Sequence, residues 1–364
     1  MDPRLHDEYI YELWDDNPKD EIEFEDDKIM QKDQLKLVFM GTPEFSVKIL
    51  EGIIDDGYNV IGVITEPDKP VGKKQEILPT PVKSFALSKG IKVHQPATKD
   101  ELRIMNQELE YDLGVVAAYG KIIPKEVLDK PKYGCINFHG SLLPKLRGAS
   151  PIQTAILEAA ERTGVTIMVM DEGMDTGPIL TQVEIPLDDN ETTTTLKQKM
   201  LNCGLPLLLN TIPGYVDGEI EPSAQGGQAT YTKLISKEDG KIDFSKSASE
   251  EERKIRAFNE WPGVYCFWNE KRTKVLEAEN IQYPISNIPA RLASESVAGR
   301  QSISNTQYPS YKSGEVFLDT NGDLCVAFSE GYWIIKKLQM EGKIAMSAKD
   351  FLNGNKDIIG KTLS

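Results

Sequence analysis

The chain has 364 residues, a formal net charge of −15, and 40% hydrophobic and 27% charged residues. This length suits two globular domains, and no apolar run approaches the roughly 20 residues that span a bilayer, which excludes a membrane protein. Four scattered cysteines without a CxxC pair and an acidic N-terminal segment disfavour a zinc ribbon, a disulfide scaffold and a secretory signal, so we expect a reducing, cytoplasmic location.

The charge is unevenly distributed along the chain. Residues 1–34 contain thirteen acidic and four basic side chains, and their mutual repulsion predicts a mostly disordered acidic tail. Residues 331–364 have the opposite sign, with six lysines against three acids. Such a basic end can contact phosphates even on an acidic protein, since salt screens charges beyond about 10 Å. A lysine-rich face exposed to solvent explains this positive charge equally well.

From residue 35 onward, predicted strands alternate with predicted helices. A buried strand at 35–40 breaks at Gly41, and a helix is predicted to follow with Thr42 as its N-cap and Pro43 in its first position. Further strands are predicted at 59–65, 92–94, 113–117, 135–138, 165–170 and 179–187, and helices at 152–160 and 193–209. This alternation predicts an α/β fold with a Rossmann-like, mainly parallel, doubly wound sheet.

A change of composition near 211–230 predicts a linker between two domains. This polar stretch is interrupted by Pro213, Gly214, Pro222, Gly226 and Gly227. Short strands are then predicted at 263–268, 274–278, 315–318, 324–328 and 332–338, with a flexible loop at 294–312. Many short strands with turn signals indicate a small β-barrel or an open sheet.

The most informative polar residues are Asn137 and His139, at the end of a predicted strand. Residues two apart in a strand point to the same face, so a carboxamide and an imidazole lie side by side where open α/β sheets bind ligands. Both groups can donate hydrogen bonds to a developing oxyanion. Neither is a good nucleophile in this setting, which favours direct group transfer over a covalent enzyme intermediate.

A second candidate is Asp175, in a sharp loop between Gly173 and Gly177. A carboxylate there is expected to orient His139, raise its pKa and accept a proton through water. Taken alone, an Asn-x-His pair more often makes core hydrogen bonds, and an Asp in a Gly-rich turn more often forms an Asx turn. The order and spacing of these signals together carry the prediction.

The chain resembles the methionyl-tRNA formyltransferases, a branch of the folate-dependent formyltransferases, over residues 35–352 apart from the loop near 294–312. The matching segments are LVFMGTPEF at 37–45, PDKP at 67–70, PTPVK at 79–83, NFHGSLLP at 137–144, RGASP at 147–151 and TGVTIMVMDEGMDTG at 163–177. The motif at 137–144 is shared across folate formyltransferases and specifies the chemistry. The acceptor is better specified by MSAKDFLNG at 346–354, which resembles a signature of the tRNA enzymes.

The resemblance implies a role for each of these segments. The family's catalytic residues correspond to Asn137, His139 and Asp175. Its folate-binding loop corresponds to Ser141, Leu142, Leu143 and Pro144. Contacts with tRNA are expected from Lys69, Lys73 and Lys74 in an insertion loop at 66–83, and from Lys336 and Lys337 in the second domain.

The same resemblance implies the domain organisation and the substrates. We expect an acidic tail at 1–34, a formyltransferase catalytic domain at 35–218, a linker at 219–235 and an OB-like, tRNA-binding barrel at 236–364. The implied donor is 10-formyltetrahydrofolate and the implied acceptor is initiator methionyl-tRNA, with no metal, and a monomer is expected. The amine attacks the formyl carbon, Asn137 and His139 donate to the oxyanion, and Asp175 takes the excess proton through water or through His139.

Other functions are compatible with the central motif. A folate-dependent formyltransferase acting on an amino-sugar nucleotide uses the same three residues, although the lysine-rich end favours tRNA. A ribosylamine-nucleotide formyltransferase fits less well, because that family lacks a second domain of this size. A hydrolase that releases formate and a non-catalytic RNA-binding module are the remaining alternatives, and the intact catalytic set argues against the second.

Overall fold

The computed structural model describes residues 31–71, 75–282 and 311–364. Its helices are α1 (Glu44–Asp55), α2 (Pro81–Ser88), α3 (Lys99–Gln107), α4 (Lys125–Leu128), α5 (Pro151–Leu157), α6 (Thr193–Val216), α7 (Ala248–Ala257) and α8 (Ala348–Gly354). Among these described residues, no helix is both long and apolar enough to cross a bilayer.

The strands fall into an N-terminal and a C-terminal group. The first group is β1 (Lys36–Gly41), β2 (Asn59–Ile64), β3 (Lys69–Val71), β4 (Glu76–Leu78), β5 (Lys92–His94), β6 (Leu113–Ala117), β7 (Cys135–His139), β8 (Arg147–Gly148), β9 (Arg162–Val169), β10 (Ile179–Pro186) and β11 (Tyr231–Thr232). The second is β12 (Val264–Trp268), β13 (Lys271–Ile281), β14 (Val316–Leu318), β15 (Leu324–Ala327), β16 (Tyr332–Met340) and β17 (Met346–Ser347).

Seven strands form the N-terminal sheet, in the order β10-β9-β7-β6-β1-β2-β5. The five strands from β7 to β5 are parallel, whereas β9 and β10 are antiparallel to their neighbours. The chain runs outward from β1 through β2 to β5 and then returns to β6 on the other side of β1. This reversal of strand order is the switch point of a doubly wound sheet, so the α/β prediction is confirmed.

Helices α1 and α6 pack against one face of β7. The Phe138 ring contacts Phe45 of α1 with centroids 5.7 Å apart. A Cβ on Gly204 of α6 would lie 2.5 Å from the Phe138 ring, so only glycine allows α6 this close. Since side chains alternate along a strand, Asn137 and His139 project from the opposite face.

Two local predictions are wrong. Helix α1 begins at Glu44 after Pro43, and the hydroxyl of Thr42 does not cap it but donates to the carbonyl of Tyr119 at 2.9 Å. Pro213 and Gly214 do not belong to the linker, because α6 continues through them to Val216. The fully buried residue Ile212 anchors this part of α6 in the core, and this packing outweighs the backbone hydrogen bond that a proline removes.

The C-terminal sheet is antiparallel throughout, in the order β12-β13-β16-β15-β14, with β17 on β16. Residues 360–364 lie between its two edges. Phe267 of β12 exchanges backbone hydrogen bonds with Ser364 at 2.6 and 3.2 Å, and the N–H of Val316 in β14 donates to Lys361 at 2.9 Å. These contacts close the curled sheet, and the prediction of a small barrel is confirmed. The predicted loop at 294–312 lies almost wholly outside the described residues.

Helix α7 attaches the barrel to the first domain. The Arg253 guanidinium donates to the carbonyl of Leu157 at the end of α5 at 2.8 Å. The Thr193 hydroxyl at the start of α6 donates to the carbonyl of Ala257 at 2.7 Å. The two domains therefore share direct hydrogen bonds in addition to the chain that connects them.

Removing residues 360–364 tests the closure of the barrel. We expect the free energy of unfolding to fall by about 2–5 kcal/mol, since several backbone hydrogen bonds worth about 1 kcal/mol each are lost and both edges of the sheet are exposed. Chemical denaturation of the full chain and the truncated chain measures this. The control is Lys361→Ala, which keeps the backbone. Equal stability of the full and truncated chains would show that the sheet does not need these residues.

Candidate active site

His139 lies between two acceptors at the end of β7. Its Nε2 is 3.2 Å from the carbonyl oxygen of Leu146, and its Nδ1 is 3.6 Å from Oδ1 of Asp175. A carbonyl only accepts hydrogen bonds, so Nε2 carries the proton in this contact. The structure thus brings together the imidazole and the acid singled out in the sequence, with Nδ1 as the atom that faces the acid.

Burial lowers the pKa of His139 below its ordinary value, while the charge of Asp175 and the carbonyl of Leu146 act in the opposite direction. Asp175 raises the pKa of His139 as the sequence predicts, but burial, which the sequence did not predict, outweighs this effect. The ring is only 5% exposed, and removal from water penalises the imidazolium more than its neighbours favour it. The lowered pKa favours the neutral ring, and with the proton on Nε2 the atom that faces Asp175 is an unprotonated Nδ1.

The position of Asp175 is fixed by its own backbone conformation and by a hydrogen bond from the loop that contains Gly148. Its φ of 53° lies in the left-handed region, which is unusual for a residue other than glycine. The N–H of Gly148 donates to Asp175 Oδ2 at 2.7 Å. Two residues on, a Cβ at Gly177 would lie 1.9 Å from the carbonyl oxygen of Val169, so the turn must pass through glycine there. The backbone conformation that positions this carboxylate is one that few other residues permit.

Asn137 differs from the other polar residues of the site because its carboxamide is unpaired. The residue is 9% exposed, yet no group in the described part of the chain hydrogen-bonds its side chain. The amide atoms of Asn137 are not among the fully buried unpartnered ones, so they still reach solvent. Such a group is therefore suited to donate to a ligand.

The loop at 141–144 is anchored by the hydroxyl of Thr166 in β9. This hydroxyl donates to the carbonyl of Ser141 at 2.6 Å and accepts from the N–H of Leu143 at 3.1 Å. Ser141 and Leu143 are buried, whereas Leu142 and Pro144 are half-buried. Ser141 and Leu143 therefore hold the loop in place, and Leu142 and Pro144 provide surface that a ligand can contact.

The predicted linker contributes directly to the site. Strand β11 pairs with β8, so that Tyr231 lies opposite Arg147 and Thr232 opposite Gly148. The side chain of Gln225 donates to the carbonyl of Asp175 at 2.8 Å. Sequence reasoning missed these contacts, since they join residues 50 to 84 positions apart and no spacing pattern in the sequence indicates them.

The predicted tRNA-contacting lysines are partly engaged in ion pairs. Lys69 Nζ is 2.8 Å from Glu66, and Lys336 Nζ is 2.9 Å from Glu279. Lys337 is exposed, but consecutive strand residues point to opposite faces, so Lys336 and Lys337 do not form one patch. The remaining two, Lys73 and Lys74, lie outside the described residues.

A basic and aromatic face on β12 and β13 was also missed. The Arg272 guanidinium lies 3.6 Å from the ring centroid of Tyr265, and Lys241 Nζ lies 5.8 Å from that of Phe267. Lys274 pairs with Tyr265 across the two strands. The sequence offered the signal, since cationic and aromatic residues share one face of two neighbouring strands.

The substitution Asp175→Asn tests the electrostatic coupling within the pair. Loss of the carboxylate removes the charge that favours the imidazolium, so we expect the pKa of His139 to fall further. Titration of the histidine ring protons by NMR measures this, and the chain has only three histidines to assign. The pKa of His94 serves as the internal control. An unchanged or raised pKa of His139 would contradict the coupling.

Comparisons with known proteins agree with this fold. Residues 35–212 match the formyl transferase family, and residues 234–356 match the formyl transferase C-terminal domain. The methionyl-tRNA formyltransferase of Bacillus cereus strain B4264 is 41% identical over 333 residues, which cover 90% of this chain and 98% of that protein.

Two solved structures share the fold. An N-formyltransferase from Helicobacter canadensis, in complex with folinic acid and dTDP-3-aminofucose, has a TM-score of 0.55 and 22% identity over 83% of this chain and 98% of its own. HypX from Aquifex aeolicus, in complex with tetrahydrofolic acid, has a TM-score of 0.56 and 15% identity over 87% of this chain and 46% of its own. The two family models and the identity to the Bacillus protein over nearly its full length show that the chain belongs to the methionyl-tRNA formyltransferase family.

Proposed function

We propose that this protein transfers the formyl group of 10-formyltetrahydrofolate to the α-amine of initiator methionyl-tRNA. The observation that carries the proposal is the meeting of an unpaired carboxamide, Asn137, with the buried His139 ring and Asp175, whose facing atoms are 3.6 Å apart. The family membership supports both the reaction and the class of acceptor.

The oxyanion is stabilised by Asn137. When the neutral amine attacks the formyl carbon, a C–N bond forms and the carbonyl oxygen becomes negatively charged. The free N–H of the Asn137 amide donates to that oxygen. The single N–H of the neutral His139 ring is already donated to Leu146, which leaves the carboxamide as the principal donor.

The proton released by the attacking nitrogen goes to His139. The Nδ1 lone pair accepts it, and the resulting imidazolium lies beside the Asp175 carboxylate, which compensates its charge. The bond between the formyl carbon and N10 of the folate then breaks, and the proton passes to N10. A ring whose pKa is kept low by burial returns its proton readily, so the pair ends the reaction in its starting state.

The folate donor is proposed to lie against the loop formed by Ser141, Leu142, Leu143 and Pro144. Leu142 and Pro144 provide the accessible surface, while Thr166 fixes the backbone from behind. Two solved relatives of this fold bind folinic acid or tetrahydrofolic acid, which supports the folate class. The 10-formyl form is the donor whose carbon is activated for transfer to an amine.

The acceptor tRNA is proposed to contact basic groups on both domains. On the first domain these are Lys69, Lys73 and Lys74 of the 66–83 loop, and on the barrel they are Lys336 and Lys337. The barrel face with Arg272 over Tyr265 adds a cation and an aromatic ring, groups that bind phosphates and bases. We propose that the chain acts as a monomer.

The substitution Asn137→Ala tests the oxyanion donor. Loss of one such donor typically costs about 3 kcal/mol, so we expect kcat to fall by about 10²–10³ with little change in the Kd for tRNA. Single-turnover formylation and tRNA binding measure the two quantities separately. The control is Asn202→Ala, an exposed asparagine on α6. A kcat within about threefold of the parent would reject Asn137 as the donor.

The choice of acceptor tests the function itself. The protein is incubated with 10-formyltetrahydrofolate and, separately, with methionyl initiator tRNA, methionyl elongator tRNA and an amino-sugar nucleotide. We expect the formyl group on the initiator methionyl-tRNA. Transfer to the amino sugar alone, or release of free formate in every incubation, would overturn the proposal.

A further inference from the structure

Gln225 connects the linker to the loop that carries Asp175. Its Nε2 donates to the carbonyl of Asp175 at 2.8 Å and to the carbonyl of Gly177 at 2.7 Å. Its Oε1 accepts from Arg147 Nη2 at 2.7 Å and from Arg147 Nε at 3.1 Å. All four hydrogen bonds that a carboxamide side chain makes are used, and they join three segments of the chain.

We propose that Gln225 is a positioning residue that holds Asp175 against His139, so that the linker is part of the catalytic machinery. The inference rests on the proposed function and adds a residue to it. Gln225 touches none of the reacting atoms. It acts on the backbone of the residue whose carboxylate compensates the imidazolium.

The orientation of the Gln225 amide follows from its neighbours. Arg147 has only donors, so it must face the oxygen, and the two carbonyls have only acceptors, so they must face the nitrogen. A charged donor also makes a stronger hydrogen bond than a neutral one. Arg147 therefore fixes Gln225 in the one orientation in which the amide nitrogen bonds both carbonyls of the loop.

The loop around Asp175 needs such support. Its first half is tied internally, since Asp171 Oδ1 accepts from the Thr176 hydroxyl at 2.7 Å and from the N–H of Gly173 at 3.1 Å. Asp175 itself is in a left-handed conformation that costs about 1 kcal/mol or more for a residue with a side chain. Gln225 bonds the carbonyls on both sides of Thr176 and thereby stabilises the strained turn.

Strands β8 and β11 also hold the carboxylate of Asp175. The N–H of Gly148 in β8 donates to Asp175 Oδ2. Thr232 of β11 in turn accepts from the N–H of Ser150 at 3.1 Å and donates to the carbonyl of Arg147 at 3.1 Å. The backbone and the carboxylate of Asp175 are thus both held by groups that the linker fixes. A shift of about 1 Å at such a site can cost about 10²-fold in rate.

The experiment compares Gln225→Met with Gln225→Glu in the full chain. Met keeps the size and loses every hydrogen bond, whereas Glu can still accept from Arg147 but cannot donate to the two carbonyls. We expect kcat for formylation to fall about 10- to 100-fold in both variants, with the KM for donor and tRNA within twofold and the chain still folded at the assay temperature. Recovery of kcat in Gln225→Glu would show that only the tie to Arg147 matters and would overturn the proposal.

The matched controls are Gln228→Met and Gln228→Glu, three residues along the same linker, where the glutamine is exposed and makes no hydrogen bond to the described residues. They should retain the parent kcat, and an equal loss in these variants would assign the effect to the linker in general. If the parent chain itself does not formylate initiator methionyl-tRNA, the proposed function fails independently of Gln225.

NMR titration of His139 gives a readout that needs no turnover. Displacement of the Asp175 carboxylate in Gln225→Met should lower the pKa of His139, as in Asp175→Asn, while Gln228→Met should leave it unchanged. In the double variant with Asp175→Asn, the Gln225 change should produce no further shift. A parent-like titration in Gln225→Met would contradict a positioning role even if activity were lost.

Discussion

The site depends on the hydrogen bond between His139 Nε2 and the carbonyl of Leu146. This bond fixes the tautomer of a buried ring and leaves Nδ1 with a free lone pair beside Asp175. Leu146 has a φ of 57°, and the Thr230 hydroxyl of the linker accepts from the Leu146 N–H at 2.8 Å in that conformation. The proton acceptor of the proposed reaction is therefore defined by a contact that the linker stabilises.

One strand and two loops supply the residues of the candidate site. Strand β7 carries Asn137 and His139 on one face, and α1 and α6 cover its other face. The segments 140–150 and 170–178 supply Leu146 and Asp175, and strand β11 together with Gln225 ties these segments to each other. A segment that the sequence indicates only as a connection between domains thus contributes contacts to the candidate site.

The sequence was sufficient for what depends on local periodicity. The strand from Cys135 and the shared face of Asn137 and His139 follow from a period of two residues, and the structure agrees with both. The direction of the pKa shift of His139 could not be predicted, because it depends on burial by residues distant in the chain. Gln225 was missed for the same reason. The helical conformation of Pro213 shows the reverse case, in which packing overrides a strong local signal.

The proposed mechanism requires His139 to be a neutral proton acceptor with its proton on Nε2. The most direct measurement is the ¹⁵N chemical shift of both ring nitrogens of His139 at pH 7 in the full-length protein. The account predicts a protonated Nε2 and an unprotonated Nδ1. A doubly protonated ring, or a proton on Nδ1 alone, would contradict it.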